Sequence, residues 1–354
     1  MKISGVQVWK EEMPLTRPYT IAYKTTSSIT NVFFQIQCDN GITGIGSSYI
    51  SKAVVGFTSD EAYESIQQNK DWFIGRDVRQ FQQIVHEARI FFDNNPGVLT
   101  ALDLALHDAF CKFIGIPIVK YYGQKIRGLH TSITIGIKNV QETLEEAQEY
   151  YDRKFKILKV KLGNNLEEDI ERLVKLRENF KDNMKIRIDA NQGYSLAELI
   201  EFCDRTLDLD IELIEQPVPV KDSLSTRSLS WDIRKLIAAD EYLVDAQSAM
   251  HLVQNEPACG IFNIKLMKCG GILESKAIST IAEKSNTDLM WGCNDESVIS
   301  IAAGLHAALS SSNTKYIDLD GSLDLARDIA QGGFKIEEGF MTLTDTPGLG
   351  VELL

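Results

Sequence analysis

The sequence lacks any run of about 18 consecutive apolar residues, the length that a membrane-spanning helix requires. Its first ten residues alternate between apolar and polar side chains, as a strand does. They carry neither the basic patch nor the long apolar stretch of a signal peptide. We therefore expect a cytoplasmic protein with no membrane partner.

Paired cysteine motifs are absent as well. No C-x-x-C pair joins any of the six scattered cysteines, which are Cys38, Cys111, Cys203, Cys259, Cys269 and Cys293. Such spacing favours buried free thiols in a reducing compartment over disulfides or a zinc site.

Basic residues are too few to bind a polyanion. The chain has 37 Lys and Arg residues against 50 Asp and Glu residues, a formal net charge of −13 at pH 7. Nucleic-acid backbones and anionic membranes both require a basic protein face. The composition therefore excludes nucleic acid as the expected partner and favours a small molecule.

The first third of the chain contains the pattern of a small α+β unit. Alternating runs at residues 4–9, 30–38 and 44–48 predict a β-meander, and apolar spacing predicts a buried helix over residues 99–114. Gly44-Ile45-Gly46 lacks the third glycine and the Lys-Ser/Thr pair of a phosphate-binding loop. We attribute these glycines to turn geometry.

After Pro117 the pattern changes to short β-rich runs, each followed by a helical stretch, which is typical of repeated βα units. Eight such runs are present, at residues 131–137, 157–162, 185–190, 211–215, 235–240, 261–265, 288–292 and 315–319.

Eight parallel strands that alternate with helices close into a barrel. We predict an α/β protein, a modified (β/α)8 TIM barrel with an N-terminal α+β capping domain. The predicted boundaries are 1–125 for the capping domain, 126–320 for the barrel, and 321–354 for a C-terminal segment that returns to the capping domain.

Three successive strand ends carry carboxylates, namely Asp189, Glu215 and Asp240. In barrel enzymes the functional side chains lie at the carboxyl ends of the strands, so we expect these three to form one cluster. Buried carboxylates remain ionised together when a cation neutralises them, and oxygen ligands from separate strands favour Mg²⁺. The pattern predicts a magnesium site.

Lysines supply the second half of the pattern. Lys159 and Lys161 are two residues apart on the second strand and therefore share a face, while Lys265 ends the sixth strand. Strands two and six are diametrically opposite in a ring of eight, so Lys161 and Lys265 would flank whatever the metal holds. Two bases that face each other across a carbon atom can remove a proton from one side and return it from the other. That arrangement predicts a racemase or an epimerase. We expect burial and the nearby cation to lower the lysine pKa.

These motifs resemble the muconate-lactonizing branch of the enolase superfamily, and within it the dipeptide epimerases typified by L-Ala-D/L-Glu epimerase. The resemblance covers essentially the whole chain. It rests on the Lys159/Lys161 pair, Asp189-Ala190-Asn191, Glu215-Gln216-Pro217, Asp240-Glu241, and Asn263-Ile264-Lys265 with Gly270-Gly271.

The resemblance implies one Mg²⁺ per subunit on Asp189, Glu215 and Asp240, with Lys161 and Lys265 as the acid/base catalysts and Lys159 beside them. The metal stabilises the enediolate that forms when the proton beside a carboxylate is removed. We expect supporting contacts around this site from four further residues, which are Asn191, Glu241, Lys268 and Glu296. We also expect a homo-oligomer.

The last strand separates branches of this family. Asp318 and Asp320 resemble the Asp-x-Asp signature of dipeptide epimerases and would hold the α-ammonium group of a dipeptide. Further substrate contacts are expected from Thr134 on the barrel and from Ile21, Tyr23 and Lys24 on an early loop. Acidic-dipeptide enzymes carry an arginine where this sequence has Lys24.

Apolar lid residues set the expected substrate. Ile21, Tyr23, Val54, Val55 and Phe57 favour a hydrophobic second residue, as in L-Ala-L-Val, over glutamate. The open alternatives are an L-Ala-D/L-Glu epimerase, an N-succinylamino acid racemase, an o-succinylbenzoate synthase, or a barrel that binds metal and a carboxylate without catalysis. Asp318 and Asp320 weigh against substrates that lack an ammonium group.

Overall fold

The computed structural model describes residues 1–21, 24–50 and 52–354. It begins with a three-stranded antiparallel sheet formed by β1 (Ile3–Ile21), β2 (Lys24–Cys38) and β3 (Thr43–Ser48). These strands confirm the predicted meander and extend beyond the predicted runs.

Within the described residues 52–122, six α-helices follow the sheet. They are α1 (Lys52–Val55), α2 (Ser59–Gln68), α3 (Lys70–Phe73), α4 (Phe81–Phe91), α5 (Pro96–Ile114) and α6 (Ile118–Tyr122). The long helix α5 confirms the predicted buried helix. Asn95 Oδ1 caps its first turn by accepting hydrogen bonds from the Gly97 and Val98 amides, and Gly115 at φ +76° ends it.

Gly44 and Gly46 lie inside β3, so our attribution of these glycines to turn geometry is wrong. A Cβ atom at either position would lie 2.1 Å or less from a backbone oxygen of α5, namely Ala105 O or Ala101 O. The glycines are required because the sheet packs directly against the backbone of α5.

The barrel consists of eight parallel strands in sequential order, preceded by the short strand β4 (Gly128–His130). The eight are β5 (Ile133–Ile135), β6 (Ile157–Lys161), β7 (Lys185–Asp189), β8 (Ile211–Glu215), β9 (Ile237–Ala239), β10 (Ile261–Ile264), β11 (Asp288–Gly292) and β12 (Thr314–Asp318). All eight predicted strands are confirmed, although several are shorter than predicted. The bridge between Thr131 and Ile317 nearly closes the ring.

In the described part of the chain, eight α-helices accompany these strands. They are α7 (Val140–Asp152), α8 (Leu166–Phe180), α9 (Leu196–Arg205), α10 (Trp231–Arg234), α11 (Ala246–Val253), α12 (Leu266–Cys269), α13 (Ile272–Lys284) and α14 (Val298–Leu309). A capping box begins α9, because the side chains of Ser195 and Glu198 each bond the other residue's backbone amide.

The barrel interior has an apolar layer below a polar one. The apolar layer consists of Leu213, Ala238, Ile261 and Met290, with Tyr316 against them. Side chains of a strand face the same side at every second residue. The residues two positions further along the five strands are Glu215, Asp240, Asn263, Gly292 and Asp318. The strand period therefore carries polar groups to the mouth of the barrel.

The C-terminal segment contacts both parts of the molecule. Its strands are β13 (Ala330–Gly332), β14 (Phe334–Glu337), β15 (Phe340–Leu343) and β16 (Val351–Leu353). β15 pairs with β4, and the Leu349 amide donates to Asp108 on α5. The domain boundaries at 125 and 320 remain a prediction. Within the described residues, every helix is too short or too polar to cross a bilayer.

Candidate active site

Strand register brings Lys161, Asp189 and Glu215 to the same level on three neighbouring strands. Lys161 pairs with Asp189, and Asp189 pairs with Glu215. Asp240 follows the end of β9, and Lys265 follows the end of β10. The three predicted metal-binding carboxylates and both predicted catalytic lysines therefore surround one mouth.

Lys159 lies at the centre of this group and is 3% exposed. Its Nζ atom donates to Asp318 Oδ2 at 2.7 Å, lies 2.7 Å from Glu215 Oε2 and is 3.3 Å from Asp189 Oδ2. Burial opposes the charged lysine, but the three carboxylates outweigh burial and raise the pKa of Lys159. Its ammonium group is therefore a fixed positive charge among the acids.

The two opposed lysines each contact a different carboxylate. Lys161 Nζ donates to Asp189 Oδ2 at 2.6 Å, and Lys265 Nζ donates to Asp240 Oδ2 at 2.9 Å. Burial disfavours the charge on Lys265, but Asp240 and Glu215 raise its pKa. The pKa of Lys265 thus moves opposite to the expected direction, because the structure pairs this lysine with carboxylates.

The carboxylates respond to these lysines in different ways. Burial opposes ionisation of Asp189, but Lys161 and Lys159 lower its pKa to about 2. Burial and the charge of Asp189 raise the pKa of Glu215 to about 8. Lys265 and Lys268 outweigh the effect of burial on Asp240 and lower its pKa.

The four predicted supporting residues contact the site in different ways. The Asn191 side chain is exposed, and its backbone amide donates to Asp189 Oδ1 at 2.9 Å. Lys268 Nζ donates to the carboxylate and the backbone oxygen of Asp240. Burial and Asp240 raise the pKa of Glu241 to about 6. Burial raises the pKa of Glu296 to about 7, and its Oε1 accepts a bond from the Asn294 amide.

The predicted ammonium-binding aspartates have different partners. Both oxygens of Asp318 are bonded, Oδ1 by Ser132 Oγ at 2.6 Å and Oδ2 by Lys159. Asp320 Oδ2 accepts the Thr134 backbone amide at 2.8 Å. Burial and the charge of Asp318 raise the pKa of Asp320, whereas Lys159 overcomes burial and lowers the pKa of Asp318.

The early-loop predictions cannot be placed. Tyr23 lies outside the described residues, and so do the side chains of Ile21 and Lys24. Val55 and Phe57 are described, and both pack against the core of the capping domain.

Sequence reasoning missed Ser132 and assigned no role to Asn263, although Asn263 stands in one of the motifs that carry the resemblance. Ser132 bonds Asp318, and Asn263 Nδ2 donates to Glu215 Oε1 at 2.8 Å. Ser132 lies two positions before Thr134, and Asn263 lies two positions before Lys265. Because residues two apart on a strand share a face, the strand period could have identified both.

Further acidic groups come from segments outside the barrel strands. Burial and then the charges of Asp295 and Glu146 raise the pKa of Asp324 to about 7. Burial, Asp295 and Glu296 raise the pKa of Tyr49, which follows β3 in the capping domain. These residues are far apart in sequence, and no motif links them.

Two family descriptions cover nearly the whole chain. Residues 3–123 match the mandelate racemase / muconate lactonizing enzyme N-terminal domain, and residues 142–354 match the enolase C-terminal domain-like family. The chain belongs to the mandelate racemase and muconate lactonizing enzyme family of the enolase superfamily.

Individual proteins similar to this chain include several dipeptide epimerases. The chain is 48% identical to an L-Lys-D/L-Arg epimerase of Desulforapulum autotrophicum, over 99% of each chain. It is similar to the crystal structure of a Methylococcus capsulatus dipeptide epimerase complexed with Mg and the dipeptide L-Arg-D-Lys, with a TM-score of 0.97, 44% identity and 99% coverage of both chains. A hydrophobic dipeptide epimerase of Enterococcus faecalis is 30% identical over 99% of each chain.

Proposed function

We propose that this protein is an isomerase, a Mg²⁺-dependent dipeptide epimerase that inverts the α-carbon of the C-terminal residue of a dipeptide with cationic side chains. The observation that carries the proposal is the pair Lys161 and Lys265, on opposite strands around three carboxylates. A barrel that merely binds a carboxylate has no need of two opposed lysines.

The donor set fits a divalent cation. Two buried oxygens beside the predicted ligands, Glu241 Oε2 and Asn263 Oδ1, accept no hydrogen bond within the described residues. Glu215 Oε2 pairs with the Lys159 ammonium group, at 2.7 Å. Asp189, Glu215 and Asp240 would hold the metal through oxygen, as Mg²⁺ prefers. As the described side chains stand, no three potential ligands enclose a metal position. Lys159 Nζ lies between Asp189 and Glu215, so a metal held by both carboxylates would require Lys159 to leave this position.

The chain's own residues move the proton. One lysine, as the free amine, takes the α-proton from one face of the substrate, and the opposite lysine, as the ammonium, returns a proton to the other face. A bound Mg²⁺ would stabilise the negative charge that develops on the substrate carboxylate. Lys159 adds a positive charge beside the same site. If Asp240 and Glu215 held a metal, they would stabilise the charged form of Lys265 less, and its pKa would be lower.

Asp320 supports binding of the dipeptide ammonium group. Among the described residues its carboxylate accepts a hydrogen bond from the Thr134 amide and pairs with no side-chain cation. An ammonium group would restore the charge balance that burial and Asp318 disturb. Muconate-type and succinylbenzoate-type substrates lack this cation, which weighs against those alternatives.

Acidic residues near the mouth support cationic side chains on the substrate. Asp295 follows β11, and its charge acts on both Asp324, which follows β12, and Tyr49 in the capping domain. The relatives with 48% and 44% identity are L-Lys-D/L-Arg epimerases. We therefore replace the expected L-Ala-L-Val type of substrate with an L-Lys-L-Arg type.

A hydrophobic second residue is the second candidate, and the lid favours it less than expected. Val55 and Phe57 pack against the capping-domain core, so their apolar character has a structural cause. The similarity of the chain to a hydrophobic dipeptide epimerase is the observation that supports this second candidate.

A panel of three dipeptides tests the proposal. With Mg²⁺ in D₂O, kcat/KM is measured for L-Lys-L-Arg, L-Ala-L-Val and L-Ala-L-Glu by chiral chromatography and by gain of α-deuterium. We expect L-Lys-L-Arg to exceed the others by about tenfold or more, because a charged hydrogen bond contributes about 1.5–3 kcal/mol. A preference for L-Ala-L-Val would favour the second candidate. No deuterium gain and no epimerisation in any cationic, apolar or acidic dipeptide would contradict the epimerase assignment.

We also propose a cytoplasmic protein that works as a homo-oligomer. All six cysteines are free thiols, which suits a reducing compartment. Light scattering of the purified protein measures the number of subunits. A monomer at working concentration would contradict the proposed homo-oligomer.

A further inference from the structure

The barrel sheet pairs the backbone of Lys161, but its pairing ends before Lys265. Lys161 is the last residue of β6 and pairs in register with Asp189. The ladder between β10 and β11 ends at Ile264, so Lys265 lies one residue beyond it and forms the N-terminal cap of α12. The position of Lys265 therefore depends on the turn that follows it, residues 265–271.

The capping helix α5 holds this turn at both ends. Thr100 Oγ1 donates to Leu266 O at 3.0 Å, next to Lys265. Asp103 Oδ2 accepts the Ile272 amide at 2.5 Å, just beyond the turn. Thr100 and Asp103 lie one helical turn apart and are both fully buried.

The contact between helix and turn leaves no spare space. Gly271 has φ +109°, and a Cβ atom there would lie 2.5 Å from Asp103 Oδ2. Lys268, inside the same turn, donates to Asp240. A shift of this turn would therefore move Lys265 and also disturb the lysine that holds a metal-binding carboxylate.

We propose that Thr100 and Asp103 are positioning residues through which the capping domain places Lys265 for proton transfer. The proposal rests on the proposed function, since it assigns one lysine to each epimer of the substrate. Lys161 has no such contact with α5 among the described residues. Loss of the Thr100 hydroxyl thus affects the two directions of proton removal unequally.

The experiment compares α-deuterium gain by each epimer of L-Lys-Arg in the Mg²⁺-loaded enzyme. The Lys265→Ala variant first identifies the epimer whose α-proton faces Lys265. In Thr100→Val, proton exchange of that epimer is expected to fall about tenfold, while exchange of the other epimer changes less than about twofold. Thr100→Ser, which keeps the hydroxyl, should restore the rate to within about twofold.

Thr143→Val is the matched control. Thr143 is also a buried helical threonine, and its hydroxyl donates to Asn139 O on its own helix. Thermal unfolding verifies that each variant is folded, and Thr100→Ala replaces Thr100→Val if the latter does not fold. Equal effects on both epimers, or no effect, would overturn the proposal. If the wild type exchanges no epimer, the proposed function fails before the variants are compared.

Discussion

The two sides of the barrel mouth differ in how their acids are neutralised. On the side of β6 to β10, all three predicted metal ligands contact lysines. The pKa values of Asp189 and Asp240 are lowered, whereas burial and the charge of Asp189 raise that of Glu215. On the side of β12 and the segment after it, the carboxylates of Asp320 and Asp324 have no cation within hydrogen-bonding distance among the described residues, and their pKa values are raised. The first side carries its own cations for chemistry. The second side is suited to receive cations from the substrate.

Asp318 shows that contacts, not strand position, decide the role of an acid. It belongs to β12, yet Lys159 and Ser132 occupy both of its oxygens. Its pKa is lowered like those of Asp189 and Asp240, because Lys159 outweighs its burial. We therefore assign Asp318 to the lysine network and Asp320 to the substrate.

Loss of a carboxylate on the catalytic side should have the largest effect. Glu215→Gln keeps the shape but removes the charge that would hold the metal, so kcat should fall by about three orders of magnitude. Chelation should abolish turnover of the wild type, and added Mg²⁺ should restore it. Full activity in chelator-treated protein would contradict the metal assignment.

The pair Asp318→Asn and Asp320→Asn tests the division between the two sides. Asp320→Asn should lower kcat/KM by about tenfold to a hundredfold, mainly through KM, because a charged hydrogen bond to the ammonium group is weakened. Asp318→Asn, the same change two residues away, should act mainly on kcat through Lys159. Identical kinetic effects of the two variants would remove the distinction.

The pH dependence of substrate preference tests Asp324. Its pKa is raised to about 7 by burial, Asp295 and Glu146, against the opposing charges of Arg153 and Arg17. As pH rises from 6 to 8, Asp324 gains its negative charge. The ratio of kcat/KM for L-Lys-L-Arg to that for L-Ala-L-Val should therefore rise by about threefold to tenfold. The ratio cancels titration of the lysines, which both substrates share. In Asp324→Asn the ratio should stay flat, and an unchanged slope there would exclude Asp324 as the source.

The smallest effect on activity is expected at the lid. Phe57→Leu should lower the free energy of unfolding by about 1 kcal/mol, because the ring packs against the capping-domain core. The preference between L-Lys-L-Arg and L-Ala-L-Val should remain within about twofold. A large shift of that preference would show that the apolar lid residues select the substrate, as their sequence suggests.

The sequence predicts the barrel well because its signals are local. Every strand has its own apolar run, and the period of two carries Asp189, Glu215 and Asp240 to one edge. The lysine pair on β6 follows from the same rule. These elements need no knowledge of distant contacts.

The recognition side is less predictable because its residues meet only in three dimensions. Tyr49, Asp295 and Asp324 come from three separate segments, and none stands in a periodic pattern. Gly44 and Gly46 are fixed by the backbone of α5, some 60 residues further along the chain. Apolar residues such as Phe57 have the same appearance in sequence whether they contact a substrate or a core.

The most direct test of the two-base account is isotope exchange by Lys161→Ala and Lys265→Ala, with each epimer of L-Lys-Arg supplied separately in D₂O. Both variants should lose epimerisation by about three orders of magnitude or more. Each should still exchange the α-proton of one epimer, and the two variants should retain opposite epimers. Epimerisation at the wild-type rate by either variant, or retention of the same epimer by both, would contradict the account.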